Sequence, residues 1–375
     1  MDGYGRGTPL RVLALTNMWP TTHAPAYGTF VASQMGSVAD LGAQVHVLFV
    51  DGRSGSGAYT RGAHRIRSLV RDGSRWDVVH AHTGHCAAIA LLQRRVPVVI
   101  SYVGYDLYGD LRRDGRPSTK SALEMRLFRR LGWAAAATIT KSKELEERLP
   151  KRLRRRNHVL PNGVDRSLFR PIPQVEARAR LGWPQDELTV LFAADPRVPR
   201  KRYTLAHEAS HRVSQELPDV RLRVCSGVSH EEVPLWMAAA DVLLLTSLRE
   251  GSPNVVKEAL ACDLPVVASA AGDVATLLEG VRHCHTLPVD AAVGEFSAAL
   301  TDVLRRGHAR SNGRARTSHL ALEVVAAQLL DIYGSVSRRS PCAAPPLLPT
   351  LEIVGASGTR RRTGPVRTMR ARARP

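Results

Sequence analysis

Short apolar runs of strand length recur along this chain, and stretches long enough for a helix separate them. A strand followed by a helix and another strand is typical of βαβ units, in which parallel strands are buried between two layers of helices. This alternation predicts an α/β protein built on parallel sheets. The runs lie at residues 11–17, 44–50, 77–83, 97–103, 134–140 and 157–160, and again at 188–194, 221–226, 241–246 and 264–270.

The runs fall into two sets, and a break over residues 166–187 separates them. This break carries Pro171, Pro173 and Pro184, which favour a linker over a helix interior or a central strand. A chain of 375 residues also has enough material for two hydrophobic cores. We therefore predict two doubly wound domains that face each other across a cleft, where ligands bind beyond the carboxyl ends of the strands.

The C-terminal part of the chain changes in composition after residue 336. Before that point, Leu322, Val325, Ala326 and Leu329 recur at helical spacing. From residue 337 onward the chain is rich in Pro, Gly, Ser and Arg, with nine arginines and one acidic residue, a composition typical of disorder. The predicted divisions are a first domain at 1–170, a second domain at 171–318, a helix at 319–336 and a basic disordered tail at 337–375.

The segment from Glu250 to Cys262 follows a strand-like run and combines a helix start with two carboxylates. Ser252 and Pro253 are predicted as the N-cap and the first residue of a helix. The free N–H groups at such a start attract phosphate, and the helix dipole adds to this attraction. Glu250 precedes the turn and Glu258 follows it, so carboxylates suited to sugar hydroxyls flank the anion site. The alternative interpretation is a capped helix with two solvated glutamates.

The same segment, E-G-x-P-x-x-x-x-E, resembles the donor-site signature of the retaining glycosyltransferases of family 4. The resemblance runs from about residue 10 to about residue 334, and the segments are most similar to transferases of bacterial cell-wall polysaccharide assembly, such as teichuronic acid synthesis. It implies the GT-B fold, with two Rossmann-like domains around a central cleft and a C-terminal helix that crosses back to the first domain. Further similar segments, in the family's order, lie at 10–34, 77–83, 97–109, 138–142, 160–165 and 191–209.

For the donor side, the resemblance implies residues that hold a nucleotide-diphospho-sugar, the expected substrate. Lys201 matches the lysine of the family's phosphate-binding block, whereas Asp195 stands where the family has an arginine. We take Arg197 as the substitute, although both basic residues could instead belong to an ordinary surface loop. Gly28 resembles the glycine whose missing side chain lets the donor phosphate approach. The resemblance also assigns Glu250 to the donor sugar, Glu258 to the ribose, and the backbone of Gly251, Ser252, Pro253, Asn254 and Val255 to the diphosphate.

On the acceptor side, Val103 stands where the family usually has a histidine near the reacting centre. Asp106, three residues later, is the candidate for orienting the acceptor, and Tyr105 is a further acceptor-side candidate. We expect His82 to line the cleft, and one histidine of the pair His80 and His82 to be structural. The front-face retaining mechanism that the family is thought to use needs no separate base, so Val103 is compatible with transfer.

The formal net charge of +19 comes from the tail and from basic residues between positions 112 and 156. The segment 121–133 mixes leucines with arginines, which suits either an anionic membrane surface or a helix that packs its apolar side on the core. The sequence contains no aromatic-interleaved basic motif and no known nucleic-acid module. We therefore expect a possible anionic membrane surface, and no specific nucleic acid, among the partners.

Several sequence features bear on cofactors and location. The chain has no D-x-D motif, so we expect no metal and no other cofactor. Its five cysteines lack zinc-type spacing, its start lacks the apolar core of a signal peptide, and it has no run of 18 apolar residues. These features predict a cytoplasmic protein, free or peripheral at the inner face of the plasma membrane.

The sequence predicts a retaining glycosyltransferase that moves a sugar from a nucleotide-diphospho-sugar to a cell-envelope glycan or a polyprenyl-linked acceptor. One alternative is a GT-B sugar-nucleotide epimerase, which the closing E-x7-E block disfavours. The other is a catalytically impaired protein that binds sugar nucleotides or polyanions. The departures at Val103 and Asp195 favour this second alternative.

Overall fold

The computed structural model describes residues 9–55, 57–71, 76–109, 118–337, 350–354 and 360–365. Two sheets, each covered by helices on both faces, account for most of these residues. The α/β class and the division into two doubly wound domains are confirmed. Strands and helices are numbered in chain order.

The first sheet has eight strands, and all neighbouring strands are parallel apart from the last pair of the chain. Its central strands are buried along their whole length, because helices cover both faces and strands cover both edges. The strands are β1 (Arg11–Thr16), β2 (Gln44–Val50), β3 (Val78–His82), β4 (Val98–Tyr102), β5 (Ala137–Thr140), β6 (Asn157–Val159), β12 (Thr350–Val354) and β13 (Arg360–Pro365), in the spatial order β13-β12-β2-β1-β3-β4-β5-β6.

The helices of the first domain pack two apolar clusters, one on each face of this sheet. Leu13 and Leu15 of β1 belong to one cluster, and Val12 and Ala14 belong to the other, as the alternation of side chains along a strand requires. These helices are α1 (Thr29–Asp40), α2 (Gly57–Leu69), α3 (Gly84–Ala90), α4 (Tyr105–Tyr108), α5 (Thr119–Leu131) and α6 (Lys143–Glu147).

The second sheet has five parallel strands in the order β11-β10-β9-β7-β8, where β7 is Leu188–Phe192, β8 is Val220–Val224, β9 is Val242–Leu245, β10 is Val266–Ser269 and β11 is His285–Leu287. Clusters of apolar side chains again lie on both faces. The remaining helices are α7 (Gln174–Leu181), α8 (Tyr203–Glu216), α9 (Val233–Ala239), α10 (Asn254–Ala261), α11 (Val274–Leu278), α12 (Val293–Leu304), α13 (Gly313–Arg316) and α14 (Leu322–Val336).

Helix α14 crosses back from the second domain to the first, as the resemblance implies. Val325, Leu329 and Tyr333 are buried in the cluster formed by β1 and α1. The Tyr333 hydroxyl also lies 2.6 Å from Nδ1 of His80, whose Nε2 lies 2.8 Å from the Ser101 hydroxyl. His80 is therefore the structural histidine of the pair, since both ring nitrogens are used to fix α14 on the sheet.

The chain passes between the two domains twice, and the two crossings run side by side. Leu160 packs in the first domain, whereas Val164 already packs in the second, six residues before the predicted division at 170. The Val164 N–H donates to the Leu320 carbonyl at 2.8 Å, and the Leu322 N–H donates to the Val164 carbonyl at 3.1 Å. These bonds pair the outgoing crossing with the returning one.

Part of the predicted disordered tail is ordered. Strand β12 pairs in parallel with β2, and β13 pairs with β12 in the antiparallel direction. The segment Thr350–Val354 has strand-forming residues, and the edge of β2 would otherwise present unpaired N–H and C=O groups. The prediction of disorder is wrong for these two strands, because composition alone does not reveal an open sheet edge elsewhere in the fold. The other residues of the predicted tail beyond Ser337 lie outside the described residues.

Candidate active site

The loops after the strands of both domains meet at the cleft, and glycines allow the closest approach. A Cβ atom on Gly251 would lie 2.9 Å from the Val103 carbonyl oxygen, closer than real Cβ contacts. On the other side of this contact, Gly104 has a φ of 133°, a conformation that favours glycine. The loop at 103–104 and the loop at 250–252 therefore touch backbone to backbone across the cleft.

A carboxylate of α6 bridges the two domains beside this contact. Oε1 of Glu144 accepts a hydrogen bond from the Tyr108 hydroxyl at 2.7 Å, and Oε2 accepts one from the Gly272 N–H at 2.9 Å. Tyr108 and Glu144 belong to the first domain, and Gly272 belongs to the second. Both oxygens of one side chain are thus used to hold the domains together at the cleft.

Two cations contact one carboxylate near the carboxyl ends of the strands of the second sheet. Nζ of Lys201 lies 2.5 Å from Oε1 of Glu250, and Nη1 of Arg200 lies 2.9 Å from the same oxygen. Burial raises the pKa of Glu250, but the charges of Lys201 and Arg200 outweigh burial and hold that pKa below its ordinary value. Glu250 is therefore ionised at neutral pH and neutralises cations that would otherwise repel each other.

The loop that carries these cations is fixed to the end of β9. The Thr246 hydroxyl donates to the carbonyl of Lys201 at 2.7 Å, and the Leu248 N–H donates to the carbonyl of Arg200 at 2.8 Å. A single 3-10 turn, Pro199–Lys201, precedes Arg202, which has a left-handed φ of 50°. This geometry turns the side chains of two consecutive residues, Arg200 and Lys201, toward Glu250.

The structure does not bring Arg197 to this cluster. Its guanidinium is 88% exposed and pairs with Asp195 at 3.0 Å, two residues away. This geometry does not support Arg197 as the substitute cation, because Asp195 pairs with the side chain in solvent. Arg200 provides the second positive charge beside Lys201.

Helix α10 begins one residue later than predicted. Pro253 occupies the N-cap position and Asn254 is the first helical residue. Ser252 does not cap the helix, because its hydroxyl donates to Oδ2 of Asp273 at 2.7 Å. The first N–H groups of a helix have no partner within it, so those of Asn254 and Val255 are available to an anion, and the assignment of this helix start to the diphosphate stays a prediction.

Glu258 lies on α10 and is half-buried as a residue. Burial raises its pKa, and the neighbouring Lys257 and His230 side chains partly offset this effect. Within the described residues, Glu258 makes no hydrogen bond or salt bridge with another side chain. A partly desolvated carboxylate with unused acceptor positions suits the hydroxyl groups of a ligand.

Asp106 is a loop anchor rather than a group that meets the acceptor. Its carboxylate is fully buried and accepts hydrogen bonds from the N–H of Gly84 at 2.7 Å and of Val103 at 2.8 Å. Burial raises its pKa to about 6, against these hydrogen bonds. The predicted catalytic role does not fit this geometry, because both oxygens face the backbone and position the loop that carries Val103 and Gly104.

The remaining predicted residues divide between the cleft wall and the interior. His82 ends β3 and is buried, with Nε2 donating to Oε1 of Gln34 at 3.3 Å. Burial and the charge of Lys141 lower the pKa of His82 to about 3, so its ring is neutral. Tyr105 is half-buried at the start of α4. Gly28 has a φ of 76° and lies against the backbone of residues 18 and 19, which accounts for glycine there without a ligand.

Arg200, Glu144 and Lys257 belong to the site although they were not predicted. Lys257 is fully buried, and its Nζ donates to the Asn162 carbonyl at 2.8 Å and to the Ser252 hydroxyl at 3.1 Å. A charged residue on the apolar face of a predicted helix is the signal that could have identified it. Within the described residues, His, Cys, Asp and Glu side chains form no cluster of three that could hold a metal.

Two parallel-sheet α/β domains that face each other across a cleft have the architecture of the GT-B fold. Sucrose-phosphate synthase from Thermosynechococcus elongatus has this fold, with a TM-score of 0.71 and 17% identity over 87% of this chain and 99% of that chain. HepE from Anabaena, solved in complex with UDP, has a TM-score of 0.63 and 16% identity over 88% of this chain and all of that chain.

The sequence matches two family models, one for each domain. The model of Glycosyltransferase Family 4 matches residues 9–168, and that of Glycosyl transferases group 1 matches residues 177–306. The chain therefore belongs to the family 4 glycosyltransferases, and the family that the sequence motifs resemble is confirmed.

Two curated relatives show similarity over part of the chain. A D-inositol 3-phosphate glycosyltransferase from Xylanimonas cellulosilytica is 29% identical over 226 residues, which cover 50% of this chain and 53% of that protein. A putative teichuronic acid biosynthesis glycosyltransferase from Bacillus subtilis is 26% identical over 247 residues, which cover 60% of each. The chain thus matches these relatives over between half and two thirds of their length.

Proposed function

We propose that this protein is a retaining glycosyltransferase that moves a sugar from a nucleotide-diphospho-sugar to a cell-envelope polysaccharide or a lipid-linked acceptor. The observation that carries the proposal is the convergence of Lys201 and Arg200 on Glu250, in the second domain that also carries the open start of α10. Cations and free amides together suit a diphosphate that gains negative charge as it leaves.

The proposed reaction assigns a task to each group. The bond between the anomeric carbon and the diphosphate oxygen breaks, and the acceptor oxygen forms a new bond to that carbon while its proton passes to the departing phosphate. Lys201 and Arg200 would stabilise the negative charge on the leaving diphosphate. In the free protein, Glu250 pairs with both cations and keeps them in place. A bound diphosphate would also pair with these cations, so that Glu250 could accept a hydrogen bond from a sugar hydroxyl.

The buried groups near the acceptor side support a mechanism without a separate base. Asp106 uses both oxygens for backbone N–H groups, and His82 is a neutral, buried ring. Val103 replaces the histidine that the family usually has in this loop. The leaving phosphate would itself accept the proton of the acceptor hydroxyl, so no separate base is needed. In this front-face mechanism the anomeric configuration is retained.

Similar proteins guide the choice of substrates. HepE from Anabaena was solved with UDP and also with UDP-glucose, and one relative is named for teichuronic acid biosynthesis. UDP-sugars and cell-envelope acceptors are therefore the first substrates to test. We expect neither a metal nor another cofactor to be needed.

A panel of UDP-, GDP-, ADP- and dTDP-sugars, each mixed with the protein with and without lipid-linked acceptors, tests the proposal. We expect release of nucleoside diphosphate from one donor and a product whose anomeric configuration matches that of the donor by NMR. Lys201→Ala serves as the inactive control. If a nucleoside diphosphate raises the melting temperature while no donor is consumed by any acceptor, the protein is a binding module instead.

Helix α5 supports a second part of the proposal, peripheral attachment to the inner face of the plasma membrane. Leu123 is 69% exposed, and Leu127 and Trp133 are also exposed beside it. Arg126 and Arg130 lie on the same segment, and positive charges near an anionic surface add about 1 kcal/mol each. Among the helices that the structure describes, none has both the length and the hydrophobicity to span a bilayer.

Replacing Leu123 and Leu127 together by glutamate should reduce sedimentation with phosphatidylglycerol vesicles at low salt by at least roughly tenfold, because apolar contact is lost and negative charge is added. Val175→Glu is the matched control, since Val175 is also 69% exposed but lies on α7 of the second domain. Equal vesicle binding by both variants and the unchanged protein would show that α5 is an ordinary solvated helix.

A further inference from the structure

Lys141 is a buried basic residue whose amine has no hydrogen-bond or ion-pair partner among the described residues. It follows β5 at the carboxyl edge of the first sheet and is 2% exposed. Its Nζ makes no hydrogen bond to any described residue, whereas the nearby buried Lys257 donates to two oxygens. Buried basic groups in proteins are almost always paired, so a buried lysine amine with no partner among the described residues needs an explanation.

Among the described residues, the surroundings of Lys141 add positive charge and supply no carboxylate that pairs with it. Burial and the positive charge of Lys257, across the cleft in the second domain, lower the pKa of Lys141 to about 7. Lys141 in turn lowers the pKa of His82, beyond the effect of burial. No carboxylate among the described residues forms a salt bridge with Lys141. The cluster is electropositive, and it lies where the two domains face each other.

A second buried donor next to this cluster also lacks an acceptor. Oε1 of Gln34 accepts from His82, but Nε2 of Gln34 has no partner among the residues that the structure describes. Gln34 and Lys141 thus both present unused N–H groups near His82. A purely structural arrangement would use an apolar residue or a paired one at each position.

We propose that Lys141, with Gln34 as a second donor, binds an anionic phosphate or carboxylate group of a ligand held in the cleft. Two sources supply this chemistry: the diphosphate of the donor and an anionic group on the acceptor. The proposal rests on the proposed function only in placing the ligand between the domains. It deepens that function by requiring a negative charge on the first-domain side of the cleft.

The test compares the full-length protein with Lys141→Met, which keeps the length of the side chain and removes its charge. Lys143→Met is the matched control, because Lys143 is 79% exposed and pairs with Glu146 at the surface. Thermal unfolding is measured without ligand and with inorganic phosphate, UDP or uridine as probes.

Without ligand, Lys141→Met should unfold at a higher temperature than the unchanged protein, since an apolar side chain replaces an unpaired amine. Inorganic phosphate should raise the Tm of the unchanged protein and of Lys143→Met by more than that of Lys141→Met, which keeps only the anion site at Lys201 and the start of α10. The proposal is overturned if phosphate stabilises Lys141→Met as much as the unchanged protein, if it stabilises none of them, or if Lys141→Met alone unfolds at a lower temperature.

Calorimetric titration separates the two sources of the anion. If Lys141 meets the donor diphosphate, Lys141→Met should weaken UDP binding by at least about tenfold and leave uridine binding unchanged. If it meets an anionic acceptor group, UDP should bind both proteins equally, and phosphate should still stabilise only the unchanged protein at saturating UDP.

These measurements need no turnover, so the two proposals can fail separately. Phosphate binding that depends on Lys141, in a protein that transfers no sugar from any donor, overturns the proposed function alone. Sugar transfer by a protein whose response to phosphate is the same with and without Lys141 overturns the anion site alone.

Discussion

Replacing Lys201 by alanine should lower kcat by about 100- to 1000-fold, the range seen when a preorganised donor to a developing negative charge is removed. Lys201 lies 2.5 Å from Glu250 in the free protein, on a loop fixed by Thr246. KM for the donor should change less, because the charge on the diphosphate is largest in the transition state. Steady-state kinetics with the donor found in the panel measure both constants.

Two neighbouring arginines provide controls for this experiment. Arg197→Ala should leave kcat unchanged, because Arg197 is exposed and pairs with Asp195. Arg200→Ala should lower kcat, though less than Lys201→Ala, since Arg200 is more exposed and shares Glu250 with Lys201. A large loss with Arg197→Ala and none with Arg200→Ala would show that ligand binding rearranges the whole loop.

Replacing Glu258 by alanine should weaken nucleoside diphosphate binding by roughly 1–3 kcal/mol, the cost of leaving ligand hydroxyl groups without their acceptor. Calorimetry with UDP measures this loss. The melting temperature of the free protein should stay equal or rise, because the carboxylate is partly desolvated and has no hydrogen-bond partner among the described residues. A structural role would instead lower the melting temperature.

Glu208→Ala is the matched control for Glu258, since Glu208 is an exposed glutamate on α8 of the same domain. It should change neither affinity nor melting temperature. Unaltered UDP affinity in a well-folded Glu258→Ala protein would rule out contact between this carboxylate and the nucleotide.

Continuous apolar runs in the sequence predicted much of the fold, because parallel strands that are buried on both faces consist mostly of apolar residues. The run at 11–17 became Arg11–Thr16, and the run at 77–83 became Val78–His82. The run at 134–140 was too long, because a 3-10 turn at Gly132–Ala134 precedes the strand Ala137–Thr140. Local pattern does not distinguish an apolar turn from the strand that follows it.

The donor-side residues were predictable where a short motif fixes them, and not where tertiary geometry does. Glu250 and the start of α10 follow from consecutive residues. The choice between Arg197 and Arg200 depends on a left-handed Arg202 and on Asp195, which holds Arg197 away. The lack of a partner for Lys141 among the described residues depends on side chains from β3, β5 and the second domain, which no local pattern brings together.

The return of α14 to the first domain determines the order in which the two domains can fold during synthesis. Translation delivers β1 and α1 early, but the helix that completes their core comes from residues 322–336, after the entire second domain. The second domain is continuous in sequence and can complete its core first. The apolar cluster of β1 and α1 stays uncovered until then, so the growing chain exposes apolar surface for most of its synthesis.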